Sequence, residues 1–347
     1  MNNNKAFSRK GINYDVGTFT RGKGSSSRDT FNPTIVKREI EIIRNDLHCN
    51  AIRISGQDLA RLSLASEIAL QQGLEVWFSP ALVDGTEQET LIYFAECAKI
   101  AEKLRKQSPN IIFVAGCELT FFMKGLVMGE TSFDRINTFM SPWKLLKNTI
   151  LKGSYHKRLN AFLSNAVKVI NEHFHGPITY ASGTWENVHW DIFDFVGVDY
   201  YRDVHNKNSY REKLRTYFKY GKPVVILEFG CCTYKGAEDK GGYGWAIVDR
   251  DKTPNQLKGD FIRDENVQVD YLKELLDIFV EENVGGAFWF TFVMPSYPFN
   301  ENTAYDLDIA SYSIVKSYIE KNGKTYNDMP WETKKSFEAL AKYYVSN

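Results

Sequence analysis

The sequence predicts a single (β/α)8 barrel, also called a TIM barrel, that occupies residues 1–347 as one domain. Short apolar runs rich in Ile, Val and Phe alternate with amphipathic segments, and eight such runs occur along the 347 residues. Two of the runs end in a glutamate, Glu118 in IIFVAGCEL and Glu228 in PVVILEFG. No glycine-rich phosphate loop follows the first run, which argues against a doubly wound open sheet.

The first half of the barrel follows from local sequence signals. Asn32 and Pro33 are typical of a helix N-cap and first helical position, and Gly73 is typical of a helix end. The predicted strands are, in order, KGINYDVG, NAIRIS, LEVWFSP and NIIFVAGCE, and the predicted helices are residues 33–47, 58–73 and 87–106.

The second half has the same alternation with longer connections. Residues 119–153 and 231–260, after strands 4 and 7, are predicted to be long loops at the active face, and WENVHWDIFD holds at most one or two helical turns. The predicted strands are GPITYAS, FDFVGVDYY, KPVVILEFG and VGGAFWFTFV, and the predicted helices are residues 155–173, 209–219, 266–281, 311–320 and 331–344.

The composition of the whole chain gives no reason to expect several classes of partner. The 43 basic and 43 acidic side chains give a formal net charge of zero, so nothing in the whole-chain charge favours nucleic acid or an anionic membrane. The start, MNNNKAFSRK, lacks the apolar region of a signal peptide, and no apolar run approaches the roughly 20 residues of a membrane span. Five cysteines without a framework spacing favour reduced thiols in a cytoplasmic protein. Oligomeric state is not predicted.

The two strand-end glutamates are the candidate catalytic residues. An unpaired carboxylate costs several kcal/mol or more to bury, so each must emerge at the carboxyl end of its strand. In parallel α/β folds that edge carries the active site. Two carboxyl groups at that edge are the smallest set of catalytic groups that most glycosidases use to hydrolyse a glycosidic bond. The sequence therefore predicts Glu118 and Glu228 as a catalytic pair that acts on carbohydrate.

This arrangement resembles clan A of the glycoside hydrolases, over roughly residues 10 to 295, with β-mannanase-like branches the most similar. The chain also resembles bacterial proteins labelled abortive infection proteins, a label that implies no chemistry. The clan resemblance implies that Glu118 is the acid/base and Glu228 the nucleophile of a retaining enzyme. It implies that Arg53, which ends strand 2, lies near the nucleophile.

The resemblance also implies aromatic contacts. Tyr200 and Tyr201 end strand 6, where the clan often has an aromatic residue or histidine that hydrogen-bonds the nucleophile. Since side chains alternate along a strand, only one of the two can point into the barrel mouth. Trp289 on strand 8 matches the tryptophan that floors the first sugar subsite. Trp77, Trp185, Trp190 and Trp245 are predicted to pack.

One departure from the clan concerns the residue before the acid/base. The clan has an asparagine there that bonds the sugar 2-hydroxyl, and this chain has Cys117, whose thiol is a weak donor. The alternative of an inert barrel that binds carbohydrate without turnover therefore stays open. Asp15 and Asp199 lie near strand ends, where they can orient Arg53 or a sugar hydroxyl.

Other chemistries have weaker support. His205, just past strand 6, either contacts substrate or is a solvated loop residue. The adjacent Cys231 and Cys232 lack the CxxC spacing of a metal or redox site, so neither a metal nor a cofactor is predicted. A lyase or aldolase is a further alternative, against which the absence of a strand-end lysine and of a metal cluster argues.

Overall fold

The computed structural model describes residues 8–18 and 26–346. Within these residues the main sheet is a closed barrel of eight strands in the order β1-β8-β7-β6-β5-β4-β3-β2. The predicted (β/α)8 barrel is therefore confirmed. The barrel strands are β1 (Arg9–Asp15), β2 (Ala51–Gly56), β3 (Glu75–Pro80), β4 (Ile111–Cys117), β5 (Ile178–Gly183), β6 (Val196–Asp199), β7 (Val224–Phe229) and β8 (Gly286–Trp289). The prediction that a signal peptide is absent rests mostly on residues 1–7, which lie outside the described residues.

Ten α-helices occur in the described part of the chain. They are α1 (Pro33–Asn45), α2 (Leu59–Gln71), α3 (Glu87–Gln107), α4 (Leu119–Phe122), α5 (Ser132–Phe139), α6 (Pro142–Lys152), α7 (Tyr155–Asn171), α8 (Tyr210–Arg215), α9 (Glu265–Glu281) and α10 (Lys335–Ser346). After β5 there is only one 3-10 turn, Trp190–Ile192, as the sequence predicts. None of the described helices is long and apolar enough to cross a bilayer.

The chain divides into two compact units. One comprises the described part of Met1–Asp15 together with Thr34–Ile52 and Tyr200–Asn347, and it carries β1, β7 and β8. The other comprises the described part of Val16–Pro33 together with Arg53–Asp199, and it carries β3 to β6. That the whole chain forms one domain stays a prediction.

Within the first unit, β1 pairs closely with β8. Gly11 lies opposite Phe288, and a Cβ on Gly11 would come within 2.3 Å of the Phe288 ring, so only glycine fits there. The buried Asn13 amide donates to the carbonyl of Leu227 on β7 at 2.8 Å and also approaches the carbonyl of Phe288. This side chain satisfies backbone acceptors inside the barrel, where an unpaired carbonyl would be costly.

The segment after β4 differs from the predicted loop because it contains α4, α5 and α6. A capping box starts α5: Thr131 accepts from the Asp134 amide, and the Asp134 side chain accepts from the Thr131 amide. Pro142 stands at the start of α6, and Gly153 with φ +73° ends it. The segment after β7, by contrast, forms 3-10 turns and one short hairpin, Val248–Asp249 with Gln256–Leu257.

The predicted helix over residues 311–320 is wrong. Val315–Ser317 is instead a strand that pairs antiparallel with Trp331–Thr333, in the register Val315 to Thr333. The β-branched Ile314 and Val315 suit a strand, but the residue that pairs with Val315 lies 18 residues further along the chain and gives no local signal. The helix predicted over 331–344 begins later, at Lys335.

Trp331 fixes this C-terminal hairpin to the barrel. It is fully buried, packs edge-on against Phe292 at 5.4 Å between ring centroids, and donates from Nε1 to Glu39 on α1 at 2.9 Å. Tyr14 on β1 donates to the other oxygen of the same carboxylate. One buried carboxylate thus joins β1, α1 and the hairpin.

We predict that Trp331→Ala lowers the free energy of unfolding by about 3–5 kcal/mol, because it empties a fully buried indole site and removes a hydrogen bond from Glu39. The matched control is Trp143→Ala, since Trp143 is 80% exposed and its loss should change stability by no more than about 0.5 kcal/mol. Urea unfolding of both variants measures the difference. Equal effects would contradict the role given to Trp331.

Candidate active site

Glu118 follows β4 in a strained backbone conformation. Its φ of 41° and ψ of 48° lie in the left-handed region, which a non-glycine residue adopts at a cost of about 1–3 kcal/mol. The strand is irregular just before it, between Val114 and Cys117. The Glu118 amide donates to the carbonyl of Ala181 on β5 at 2.9 Å, and its own carbonyl accepts from the Phe121 amide at 2.8 Å. The carboxylate-bearing residue is therefore fixed at the junction of β4 and α4.

A buried carboxylate, Glu186, holds the backbone that follows Glu118. It accepts from the Thr120 amide at 3.1 Å, from the Thr120 hydroxyl at 2.6 Å, and from the Tyr180 hydroxyl at 2.8 Å. The Tyr180 hydroxyl in turn accepts from the Leu119 amide at 2.8 Å. The two residues after Glu118 are thereby tied to the end of β5. Sequence reasoning missed Glu186, although an acidic residue shortly after a barrel strand is a detectable signal.

Aromatic rings cover this network. Trp185 stacks on Phe121 with centroids 4.2 Å apart and donates from Nε1 to the Thr120 hydroxyl at 2.9 Å. Phe139 on α5 packs edge-on against Phe121 at 5.0 Å. Trp185 therefore packs, as predicted. Trp77 and Trp190 are buried, and Trp245 lies under the guanidinium of Arg250 at 4.6 Å from its ring centroid.

Arg53, Asp199 and Cys117 form one buried polar cluster in the second unit. Arg53 is only 1% exposed; its Nε donates to the Ser79 hydroxyl at 3.2 Å and its Nη1 lies 3.6 Å from Oδ1 of Asp199. The Cys117 thiol donates to Oδ2 of the same carboxylate at 3.3 Å. The Cys117 thiol is thus engaged with Asp199. Asp15 is the half-buried last residue of β1.

Glu228 lies near the end of β7 in the first unit and is half-buried. Its Oε2 accepts a hydrogen bond from the Tyr201 hydroxyl at 3.1 Å, and its backbone carbonyl accepts from the Tyr200 amide at 2.7 Å. Tyr201 packs edge-on against Tyr312 at 5.9 Å, and the Tyr312 hydroxyl is held by the carbonyl of Gly241 at 2.7 Å. The loop after β7 therefore fixes the tyrosine that contacts the carboxylate.

Tyr200 and Trp289, two of the predicted aromatic contacts, are both buried, and a neighbour of each is more exposed. Tyr200 is buried, and its hydroxyl donates to the Tyr210 carbonyl at 2.7 Å, so it packs against α8. Trp289 is fully buried, with Nε1 bonded to the Tyr312 carbonyl at 3.0 Å and its ring edge-on to Phe229. The next residue, Phe290, is half-buried and packs edge-on against Tyr312 at 5.9 Å. Successive side chains along a strand point in opposite directions, which explains why each buried residue has a more exposed neighbour.

Among the described contacts, His205, Cys231 and Cys232 do not join the Arg53 cluster or the tyrosines around Glu228. His205 is exposed in the turn after β6, where its amide donates to Asp203 at 2.8 Å, and its contact with substrate stays a prediction. Cys231 and Cys232 are both buried free thiols, and burial raises the pKa of each thiol. A neutral, buried thiol is a poor nucleophile and metal ligand.

The fold and these residues define a (β/α)8 barrel with carboxylates at the ends of β4 and β7. No protein-family model matches the chain, and no curated protein matches it. Among solved structures it is similar to a GH113 β-1,4-mannanase, with a TM-score of 0.62, 15% identity, and coverage of 99% of this chain and 100% of the mannanase.

Two further structures share the fold. The GH113 β-mannanase AaManA from Alicyclobacillus acidocaldarius has a TM-score of 0.60 and 12% identity, with 98% of each chain covered. Cel5A from Thermotoga maritima, in complex with cellobiose, has a TM-score of 0.50 and 12% identity, with 86% of this chain and 96% of the other covered. The fold is thus one that glycoside hydrolases of clan A also have, as the sequence resemblance implies.

We predict a specific pH signature for Glu186. Burial raises the pKa of this carboxyl above its ordinary value of 4.5, although hydrogen bonds from Thr120 and Tyr180 oppose the shift. The folded state therefore holds this proton more tightly than the unfolded state does, and its contribution to stability decreases as pH rises above about 4.5. Glu186→Gln cannot titrate and should remove this decrease.

Urea unfolding between about pH 4 and pH 7 measures the effect. The change in unfolding free energy with pH should differ between wild type and Glu186→Gln in the stated direction. Glu172→Gln, at an exposed position just after α7, is the control and should reproduce the wild-type slope. A slope in Glu186→Gln identical to wild type would contradict the assignment.

Proposed function

We propose that the protein is a retaining glycoside hydrolase that acts on an oligosaccharide or polysaccharide. The observation that carries the proposal is that Glu118 and Glu228 come at the carboxyl ends of two parallel strands of one closed barrel. This end carries the active site in essentially every characterised barrel enzyme of this type. The strained conformation of Glu118 and the tyrosine hydrogen bond to Glu228 add support, because residues held in this way are concentrated at functional sites.

The mechanism assigns a different role to each carboxyl group. Glu228, ionised, attacks the anomeric carbon while Glu118, protonated, gives its proton to the leaving glycosidic oxygen. The sugar is then esterified to Glu228. Glu118, now ionised, takes a proton from water, and the resulting hydroxide releases the sugar with its original anomeric configuration. This route requires the two carboxyl groups to stand about 5–5.5 Å apart.

The surrounding residues support this division of roles. The Tyr201 hydroxyl donates to Glu228, which fixes the orientation of the carboxyl group. Glu186 accepts from the amide of Thr120, two residues after Glu118, which supports a fixed position for the proposed acid. Phe290, half-buried at the end of β8, takes the role of sugar floor that the resemblance gave to Trp289.

The substrate proposal rests on the solved structures that share the fold. The GH113 structures are of β-1,4-mannanases, so β-mannans and manno-oligosaccharides are the first substrates to test. Because Cys117 donates to Asp199, it does not replace the asparagine that bonds the 2-hydroxyl in clan members. We therefore expect weak dependence on the configuration at C2, with glucosides and mannosides hydrolysed at comparable rates.

We predict different losses for the two glutamates. Glu228→Ala should abolish turnover of all glycosides, since no glycosyl ester can form. Glu118→Ala should keep hydrolysis of aryl glycosides with good leaving groups but lose about 100- to 10,000-fold on substrates that need protonation. Added azide should restore deglycosylation in Glu118→Ala and give a glycosyl azide of retained configuration.

The control for these variants is Glu130→Ala, an exposed acidic residue in the same segment after β4, which should keep wild-type rates. Initial rates on a panel of dinitrophenyl and methyl glycosides measure all three variants. Equal loss in both catalytic variants on every substrate, with no azide product, would contradict the roles. Sugar binding by wild type without any turnover would favour the inert-barrel alternative.

A second prediction separates the two adjacent tyrosines. Tyr201→Phe removes a hydrogen bond to a charged carboxylate, which is worth about 1.5–3 kcal/mol, and should lower kcat/KM about 10- to 100-fold. Tyr200→Phe removes a similar hydroxyl whose partner is the Tyr210 carbonyl, and should leave kcat/KM unchanged while lowering stability by about 1 kcal/mol. Steady-state kinetics and urea unfolding distinguish the two. The reverse pattern would exclude Tyr201 as the partner of the nucleophile.

A further inference from the structure

The helix α6 has an inverted distribution of polar and apolar side chains. Its one fully buried residue is the polar Asn148, whose Oδ1 accepts from the Met128 amide at 3.0 Å. Trp143 and Ile150 are 80% and 74% exposed. A surface helix ordinarily turns its apolar face to the core. Hydrophobic burial within its own unit therefore does not explain the apolar residues of α6.

The exposed apolar residues form one patch along the helix. Trp143, Leu146 and Ile150 are spaced by three and four residues, which places them on the same side of α6. Together they and two neighbours make what we call the α6 patch: Met140, Trp143, Leu146, Ile150 and Leu151. Contiguous exposed apolar surface of this kind marks an interaction site.

The charge around the patch indicates the sign of its partner. Residues 135–171 contain seven Lys and Arg side chains and no Asp or Glu, in a chain whose 43 basic and 43 acidic residues balance. Lys144, Lys147 and Lys152 are exposed on α6 itself. Arg135 and Arg158 are turned inward, to the Asp84 carboxylate and the Leu126 carbonyl. The local surface is therefore both apolar and positively charged.

We propose that the α6 patch docks on a membrane surface that carries anionic lipid headgroups. An exposed helix with Trp and Leu on one side and lysines beside them is typical of helices that lie in the plane of the interface. The helix has 11 residues, which span about 16 Å against a hydrocarbon core of about 30 Å, so it lies on the bilayer and does not cross it.

The apolar component separates this partner from other polyanions. Nucleic acids are bound mainly through phosphate contacts from basic and polar groups, which give no reason to expose Leu146, Ile150 and Leu151. The zero net charge of the chain does not oppose the proposal, because attraction to a charged surface falls off within a Debye length of about 10 Å and so depends on nearby charges. The proposal is independent of the glycoside hydrolase reaction.

Vesicle flotation tests the proposal with the full-length protein. Wild type should float with vesicles of phosphatidylcholine that contain about one third phosphatidylglycerol, and should do so weakly with phosphatidylcholine alone. Raised salt should release it. Trp143 should move to a less polar environment on binding, which shifts tryptophan emission to shorter wavelength; the shift should be lost in Trp143→Phe.

Two pairs of variants separate the charged and apolar contributions. Lys144→Gln with Lys147→Gln should weaken partition about 25-fold, or about fivefold for each lysine. Trp143→Ser with Ile150→Ser should weaken it at least as much. The matched control is Lys273→Gln with Ile319→Ser, which changes one exposed lysine and one exposed isoleucine elsewhere and should bind as wild type does. All these positions are exposed, so urea unfolding should show unchanged stability.

Three results would overturn the proposal. The first is absence of binding to anionic vesicles, or equal binding by wild type and both α6 variants. The second is concentration-dependent dimerisation in analytical ultracentrifugation that Trp143→Ser with Ile150→Ser abolishes, which would assign the patch to a second copy of the chain. The third is binding to duplex DNA that competes with vesicles and is lost in the lysine variant.

Discussion

The strained backbone of Glu118 is the constraint on which the proposed acid/base depends. A left-handed residue at the end of β4 is stable only because the residues on both sides of it are fixed. Its amide is bonded to β5, and the next two residues are held by Tyr180 and the buried Glu186. The carboxyl group is therefore positioned by β5 as much as by its own strand.

Glu118 and Glu228 have different surroundings, which is what their two proposed roles require. Glu228 is joined to Tyr201, which the loop after β7 positions through Tyr312. In the other unit, Asp199 joins Arg53 to Cys117 in a buried cluster. A buried ion pair of this kind is costly to break from one side, so the cluster resists change at any single member.

The sequence predicted the barrel because its strands are short, apolar and bounded by helices with clear start signals. It also predicted that both glutamates lie at the ends of strands, because a charged residue that closes a buried strand has few alternatives. It left the choice between Tyr200 and Tyr201 open, and it chose Trp289 without considering Phe290. In each pair one side chain packs toward the helices. The register of the strand in the closed barrel determines which of the two residues it is. Glu186 was missed because its role lies in hydrogen bonds to backbone amides of another strand end.

The helix predicted over 311–320 failed for a related reason. Val315 pairs with Thr333, and a partner eighteen residues away leaves no trace in the local pattern. The α6 helix shows the opposite case, since its apolar residues are visible in the sequence but face solvent. Periodicity identifies an apolar face without identifying what covers it, and only the buried Asn148 reveals the inversion.

The proposed mechanism depends on a covalent bond between Glu228 and the sugar. The most direct test is to inactivate the protein with dinitrophenyl 2-deoxy-2-fluoroglycosides, which slow the second step, and to map the product by peptide mass spectrometry. We expect one fluoroglycosyl unit for each chain, on the peptide that contains Glu228, and no label in Glu228→Ala. A label on another residue, or turnover with inverted configuration and no label, would contradict the account.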